Sequence, residues 1–310
     1  MGASVASGSA SFATAAQLRS LLTLLNKHKV RELDTARVYG NGRSETLLGE
    51  VSDALDTHTF DLATKAPGFT PGSLTHGNII RACNDSLAAL KQSSIDLYYL
   101  HGPDRQTSLE ESCRAINQLH QERKFARFGI SNFHVDEVIE IVGLCRKNNW
   151  VQPSVYQGGY NPISRGMEAE LLPKLRECGI AFYAYSPLGG GFFSRPAEQL
   201  RTPPAGGRMD QMRVFQMIYV NDVSMHLLEK LTQECEKEDL TVKEATLRWL
   251  MHHSPLQEED GIILGASSEE QMSQNLAACG GGPLPQSVVD TFEDMWKQYR
   301  AAGKGAQYSV

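Results

Sequence analysis

The chain has 310 residues, 41% hydrophobic, 21% charged and 8% aromatic, which excludes collagen, a coiled coil or a disordered tail. Its formal net charge of −6 removes any global electrostatic case for nucleic acid or an anionic membrane surface. No run approaches the roughly 18 apolar residues of a membrane span, and residues 1–16 lack the basic start and apolar core of a signal peptide.

Short apolar runs alternate with segments of helical period. Leu18, Leu21, Leu22 and Leu25 follow i, i+3, i+4, i+7, which predicts a helix with one buried face. A short strand is expected over 31–34 (RELD) and another from Phe60 to Thr64. Ile80, Cys83, Leu87 and Leu90 mark the next helix, and Ile95 to Leu100 (IDLYYL) the next strand. Leu109 to Gln121 reads as helix and Ala126 to Ile130 as strand. Val135, Val138, Ile139 and Val142 outline a helix face, Ser154 to Tyr156 a strand, Leu171, Leu175 and Cys178 a helix, and Ala181 to Ala184 a strand. Val242 to His252 is helical, followed by a strand at Gly261 to Leu264 (GIIL). The Pro- and Gly-containing stretch Arg195–Arg208 reads as an irregular excursion between a strand and a helix.

Seven strands separated by helices imply parallel pairing with right-handed crossovers. An open doubly wound sheet and a closed barrel compete. Similar units without a composition break favour an α/β fold of the (β/α)8 TIM-barrel type, one domain over 1–310. A barrel needs a strand before the Leu18 helix, and only Val5 to Phe12 (VASGSASF) offers one. Its alanines, serines and glycine form strands poorly, so the first strand is expected to be degenerate or missing, or the chain to begin too late. The six cysteines (83, 113, 145, 178, 235, 279) form no CxxC pair, and several occupy apolar helical positions. They read as reduced core thiols of a cytoplasmic protein.

The C-terminal edges of the strands carry the chemistry: Asp34, Lys65, His101, Ser131-Asn132, Gln157 and Tyr185-Ser186, with GIIL running into Gly265-Ala266-Ser267. In a barrel these share the rim where such enzymes hold their active sites. Any one is ordinary for a strand meeting a polar loop. An Asp, a Lys and a His at successive strand ends are harder to dismiss, because a buried rim must pair its charges.

Asp34-Thr35-Ala36 with Tyr39, Lys65 in ATK and His101 in LYYLHGPD resemble the catalytic tetrad of the aldo-keto reductases. GISNF (129–133), VYQGGYN (155–161), FYAYSPLGGG (182–191) and LGASSEEQMSQN (264–275) are similar to the same family in the same order. The resemblance covers about residues 30–296 and is nearest to the aflatoxin-aldehyde (succinic semialdehyde) reductase branch, which WLMHHS (249–254) also supports.

The resemblance implies NADPH-dependent reduction of an aldehyde or ketone. Tyr39 would donate the proton, Lys65 would lower its pKa, Asp34 would hold Lys65, and His101 would polarise the carbonyl and help position substrate. Ser131, Asn132 and Gln157 would hydrogen-bond the nicotinamide carboxamide, and Tyr185 would stack on its ring. Ser186 to Gly191, including Leu188 and Gly190, would wrap the pyrophosphate. Ser267, Gln271, Gln274 and Asn275 would hold the adenosine 2′-phosphate and adenine, with Arg208 adding charge, which favours NADPH over NADH. No GxGxxG follows an early strand, so a Rossmann site is not indicated.

Three departures bear on the substrate. A GTM-like first strand is replaced by VASGSASF or lost. The stretch after Arg208 reads MDQMRVFQMIYV (209–220), where only Arg213 stands for a pocket arginine. The end AGKGAQYSV lacks the branch's terminal arginine. A less acidic, larger or aromatic carbonyl substrate is therefore expected.

Two alternatives stay open: an NADP-dependent aryl-alcohol dehydrogenase working in the oxidative direction, and a cofactor-binding regulatory subunit like the potassium-channel β-subunits. No metal is expected, since His252-His253 lacks ligand partners at suitable spacing. A small-molecule carbonyl is the expected partner, with a homodimer left open.

Overall fold

The computed structural model describes residues 2–4, 12–55, 59–202 and 213–305. Its strands are β1 (Gly2–Ser4), β2 (Glu32–Asp34), β3 (Asp61–Ala66), β4 (Ile95–Leu100), β5 (Phe125–Ser131), β6 (Pro153–Gly159), β7 (Ala181–Tyr185) and β8 (Gly261–Ile262). They lie side by side in chain order, and every neighbouring pair is parallel. β1 approaches β8, curling the sheet into the (β/α)8 barrel.

The first strand differs from expectation. It lies upstream of Val5–Phe12, at Gly2–Ser4, where three residues pair with Glu32, Leu33 and Asp34 of β2. Residues 5–11 fall outside the described residues, and Phe12 is partly buried against the core outside any strand. The strand is thus degenerate rather than missing.

Strand alternation divides the core in two. Ala63, Leu97, Tyr99, Val155, Tyr183 and Ile263 fill the barrel interior. Tyr98, Phe128, Ile130, Tyr156 and Phe182 face the helices, in the larger core. Glycine makes room where an interior ring is large. A Cβ on Gly129 would lie 2.4 Å from Tyr99 Cδ1. At the N-terminal end Tyr183 donates to Glu32 Oε1 at 2.6 Å, and Arg127 bridges Glu32 and Asp96.

Helices at Ala15–Lys27, His76–Leu90, Leu109–Gln121, Val135–Asn148, Leu171–Cys178 and Val242–His252 follow the predicted periodicities. One face was misassigned. In Val135–Asn148, Ile139 is 45% exposed, whereas Ile141 and Cys145 join Val138 and Val142 inside. The period is right, but adjacent β-branched residues do not reveal which one points inward. Part of the excursion after Arg195 is helical, at Ala197–Arg201. His252 and His253 serve the turn at 280–284: His252 Nε2 lies 2.6 Å from the Gly281 carbonyl, and His253 Nε2 accepts from the Leu284 amide at 2.8 Å.

A helix not anticipated from the sequence, Arg43–Glu50, packs on His76–Leu90 and carries two residues toward the barrel rim. Gly49 permits that approach, because a Cβ there would fall 2.0 Å from the Ala89 carbonyl oxygen. Gly49→Ala is expected to destabilise the fold by about 1–3 kcal/mol through overpacking, read as a lower denaturant midpoint. An unchanged midpoint would show that the two helices separate without cost.

Candidate active site

At the C-terminal rim β2 ends in Asp34 and β3 supplies Lys65. The Lys65 side chain has no exposed surface, and its ammonium donates to Asp34 Oδ2 at 2.6 Å and to the Thr35 carbonyl at 2.8 Å. A buried ammonium without a counter-charge would give up its proton. Burial does pull the Lys65 pKa down, but the Asp34 carboxylate and the facing Tyr39 outweigh it and hold the group above the ordinary lysine value.

Tyr39 opens a short turn, Tyr39–Gly42, in which Gly40, Asn41 and Gly42 all have positive φ (57°, 52° and 88°). Three successive left-handed residues reverse the chain sharply and turn the tyrosine ring over the barrel mouth. Lys65 Nζ stands 5.2 Å from that ring's centroid and 5.4 Å from the ring of Tyr99 below. His101, just beyond β4, meets Tyr39 edge-on with centroids 5.9 Å apart. Burial first, and the Lys65 charge second, push the His101 imidazole down to about 3. It is neutral at physiological pH, with an N–H to donate and no charge to attract water.

The neighbouring strand ends interlock with this group. Gln157 Nε2 donates to Asp34 Oδ1 at 2.9 Å. Asn132 Nδ2 donates to Ser131 Oγ and to the His101 carbonyl, both at 2.9 Å, and Tyr185 donates to Asn132 Oδ1 at 2.8 Å. Asn132 and Ser186, each the first residue beyond its strand, have φ of 66° and 54°. Backbone held there is concentrated at functional sites. After Leu188, Gly189, Gly190 and Gly191 also have positive φ, and a Cβ on Gly190 would lie 2.7 Å from Phe215 Cγ.

The remaining predicted residues lie on the loop after β8 and on helix Glu269–Cys279. Ser268 caps that helix, and the Ser267 amide donates to Gln271 Oε1 at 2.9 Å. Asn275 is buried and donates to the Gly265 carbonyl at 3.4 Å. Gln274 Oε1 accepts from Lys243 Nζ at 2.6 Å, a cation the sequence analysis did not assign. Ser267 and Ser268 also line a cleft of about 610 Å³ with Phe12, Gln17 and Ser20. Arg208 lies outside the described residues, as does the side chain of Arg213, the residue that opens helix Arg213–Tyr219.

Sequence reasoning passed over several residues that complete the rim. Phe69 has a φ of 69°, is 48% exposed and meets His101 with ring centroids 5.5 Å apart. Val38, beside Tyr39, is 53% exposed. Glu45 has no exposed surface, and its carboxylate takes Thr64 Oγ1 at 2.6 Å and Arg37 Nη1 at 2.8 Å. The Ser-Glu pair opening a helix five residues past Tyr39 was the available signal for Glu45. Among the described residues no helix is long and apolar enough to cross a membrane, and no group of three His, Cys, Asp or Glu could hold a metal ion.

A tyrosine and a neutral histidine thus stand over a buried, ion-paired lysine at the C-terminal rim of an eight-stranded barrel, the end at which such barrels hold their active sites. The chain matches the Aldo/keto reductase family over residues 1–297 and belongs to that family. It is 40% identical over 300 residues to aflatoxin B1 aldehyde reductase member 2 of Mus musculus, covering 92% of this chain and 80% of that protein. It is 39% identical over 281 residues to aflatoxin B1 aldehyde reductase member 4 of Homo sapiens (86% and 84% covered). It is also 39% identical over 290 residues to the oxidoreductase sirO of Leptosphaeria maculans (91% and 86% covered).

The depressed His101 pKa makes stability depend on pH. In the unfolded chain the imidazole takes a proton near its ordinary value of 6.5, but in the folded protein only near 3. The contribution is therefore complete above pH 6.5 and is lost progressively as pH falls from there toward 3. His101→Gln is expected to flatten the fall of unfolding free energy between about pH 6 and pH 4 relative to the parent. Parallel curves for the two proteins would contradict a neutral, buried His101.

Proposed function

We propose that the protein reduces an aldehyde or ketone to the alcohol with NADPH, Tyr39 serving as proton donor. The observation that carries this reading is the buried Lys65–Asp34 pair with the Tyr39 ring over it. A phenol titrates near 10 in water, and a cation close by favours its phenolate and makes it a usable acid at neutral pH. Asp34 fixes the ammonium in place, and Gln157 holds the second carboxylate oxygen. Neutral His101 directs an N–H toward the carbonyl oxygen, sharing with Tyr39 the charge that develops there.

A nicotinamide cofactor, when bound, supplies the hydride that no side chain carries. The donor set fits such a group. Ser131, Asn132 and Gln157 present neutral amides and a hydroxyl suited to its carboxamide, beside the ring of Tyr185. Ser186 to Gly191 offer backbone suited to a pyrophosphate. Ser267, Gln271, Gln274 and Asn275, with Arg208, would take the adenosine 2′-phosphate and adenine, the basis for preferring NADPH over NADH. The exposed apolar side chains of Val38 and Phe69 flanking Tyr39 and His101 favour a neutral, apolar carbonyl substrate. The names of the mammalian relatives agree with an aldehyde.

Tyr39→Phe should remove most of kcat for an aryl aldehyde while NADPH affinity, followed by quenching of cofactor fluorescence, stays within about twofold. In the same titration NADH should bind at least about tenfold more weakly than NADPH, the value of one charge-assisted phosphate contact. A fully active Tyr39→Phe variant would overturn the role of Tyr39, and equal affinities would overturn the cofactor preference.

A further inference from the structure

We propose that Glu45 is a positioning residue for this reaction: its buried carboxylate ties Thr64, next to Lys65, to Arg37, two residues before Tyr39. The clamp thereby fixes the proton donor relative to the cation. The inference rests on the reading of Tyr39 as that donor, and it extends the machinery to residues that touch neither substrate nor cofactor.

Glu45 has no exposed surface, and its two oxygens face different elements. Oε1 accepts from Thr64 in β3 at 2.6 Å, and Oε2 pairs with Arg37 in the loop after β2 at 2.8 Å. Burying a carboxylate is costly, and apolar residues of similar volume often stabilise a fold as well or better. A buried ionic group is better explained by the geometry it enforces, and here that geometry is the seat of Tyr39.

Residues 35–42 form no regular ladder and include three left-handed residues in a row. The Thr35 amide donates to the Ala63 carbonyl at 2.9 Å, and Thr46 Oγ1 donates to the Gly42 carbonyl at 3.1 Å. Lys65 Nζ takes the Thr35 carbonyl at 2.8 Å, and Thr35 Oγ1 lies 2.7 Å from Ser44 Oγ. The Tyr39 amide donates to the Ala36 carbonyl at 3.0 Å. The Arg37 guanidinium lies over the far end of the turn, where a Cβ on Gly42 would stand 3.2 Å from Nη1. Arg37, two residues before Tyr39 in sequence, thus lies against the far end of the turn that carries it, and Glu45 anchors Arg37 to the strand that carries Lys65. Because Thr64 and Lys65 are consecutive in β3, the clamp links the loop before Tyr39 to the strand that carries the ammonium, and so supports the direct hydrogen bond between Lys65 and Tyr39.

The test measures single-turnover hydride transfer, NADPH affinity and the pH dependence of kcat/KM for reduction of an aryl aldehyde. The proteins compared are the parent, Glu45→Gln, Arg37→Met, the double variant and Arg37→Lys. Displacement of a reacting group by about 1 Å costs on the order of a hundredfold, so each single variant should lose about ten- to a hundredfold in transfer rate. NADPH affinity should stay within about twofold, and the double variant should be no slower than the worse single one. Arg37→Lys should recover part of the rate.

Reduction consumes the phenol form, so the alkaline fall of kcat/KM reports the phenol. A tyrosine less well seated over Lys65 should move that limb upward by about half a unit or more. Unchanged rates would overturn the proposal. So would slower turnover with an unmoved alkaline limb and a matching loss of NADPH affinity, the signature of general damage. Arg37 is partly exposed, so Arg37→Met decides the matter alone if Glu45→Gln does not fold. Tyr39→Phe runs alongside: full activity there would overturn the functional reading itself, whereas a dead Tyr39→Phe beside an unaffected Glu45→Gln would overturn the clamp alone.

Discussion

A lysine ammonium sealed inside a barrel must be paired, and the rest of the rim is organised around satisfying it. Lys65 has no exposed surface, and its proton is held by Asp34, the Thr35 carbonyl and the facing ring of Tyr39. Asp34 in turn takes Gln157 from the opposite side of the barrel, 123 residues further along the chain. Removing one partner would leave an uncompensated buried charge, among the most destabilising changes a core can suffer. The same requirement that keeps the pair together leaves a fixed positive charge under a phenol. In the proposed mechanism, stability and chemistry therefore draw on one interaction.

Around that charge the backbone departs from easy conformations. Asn41, Phe69, Asn132 and Ser186 all have positive φ although none is glycine, and all sit in loops beyond strand ends on the same rim. For Phe69 the strain is greatest, since a bulky side chain is an outlier there. The barrel beneath them is rigid, with rings packed against glycines such as Gly129 and Gly261, and it over-determines these loops. The hydrogen bonds among Asn132, Ser131, the His101 carbonyl and Tyr185 link three strand ends into one unit. The candidate-site groups are thus held in place by the fold's own hydrogen bonds.

Most of the barrel was legible in the sequence because parallel strands and amphipathic helices write their periods directly. IDLYYL and the Leu109–Gln121 helix emerge with the expected bounds. The first strand was misplaced because three residues, Gly2–Ser4, carry no periodicity to read. Ile139 was turned the wrong way because its neighbours on both helix faces are apolar. Asp34, Lys65 and His101 stood out because an Asp, a Lys and a His fall at successive strand ends, whereas Tyr39, in the turn after β2, was named only through the family resemblance. Glu45, Thr64 and Lys243 did not stand out. A glutamate opening a helix is ordinary in sequence, and only the packing of that helix on its neighbour shows its carboxylate buried between β3 and the loop after β2. Lys243 lies 31 residues from Gln274, with nothing local to link them.

The most direct test of an ion pair that tunes the tyrosine is a titration of Tyr39 itself. Ring carbon-13 labelling of tyrosine, with the Tyr39 signal assigned from its loss in Tyr39→Phe, allows the phenol to be followed by NMR in the parent and in Lys65→Met. The buried cation predicts that Tyr39 titrates at least about one pH unit lower in the parent than in Lys65→Met, equivalent to roughly 1.4 kcal/mol. Coincident titrations would contradict it, because a lysine that leaves the phenol pKa unmoved does not prepare that proton for transfer.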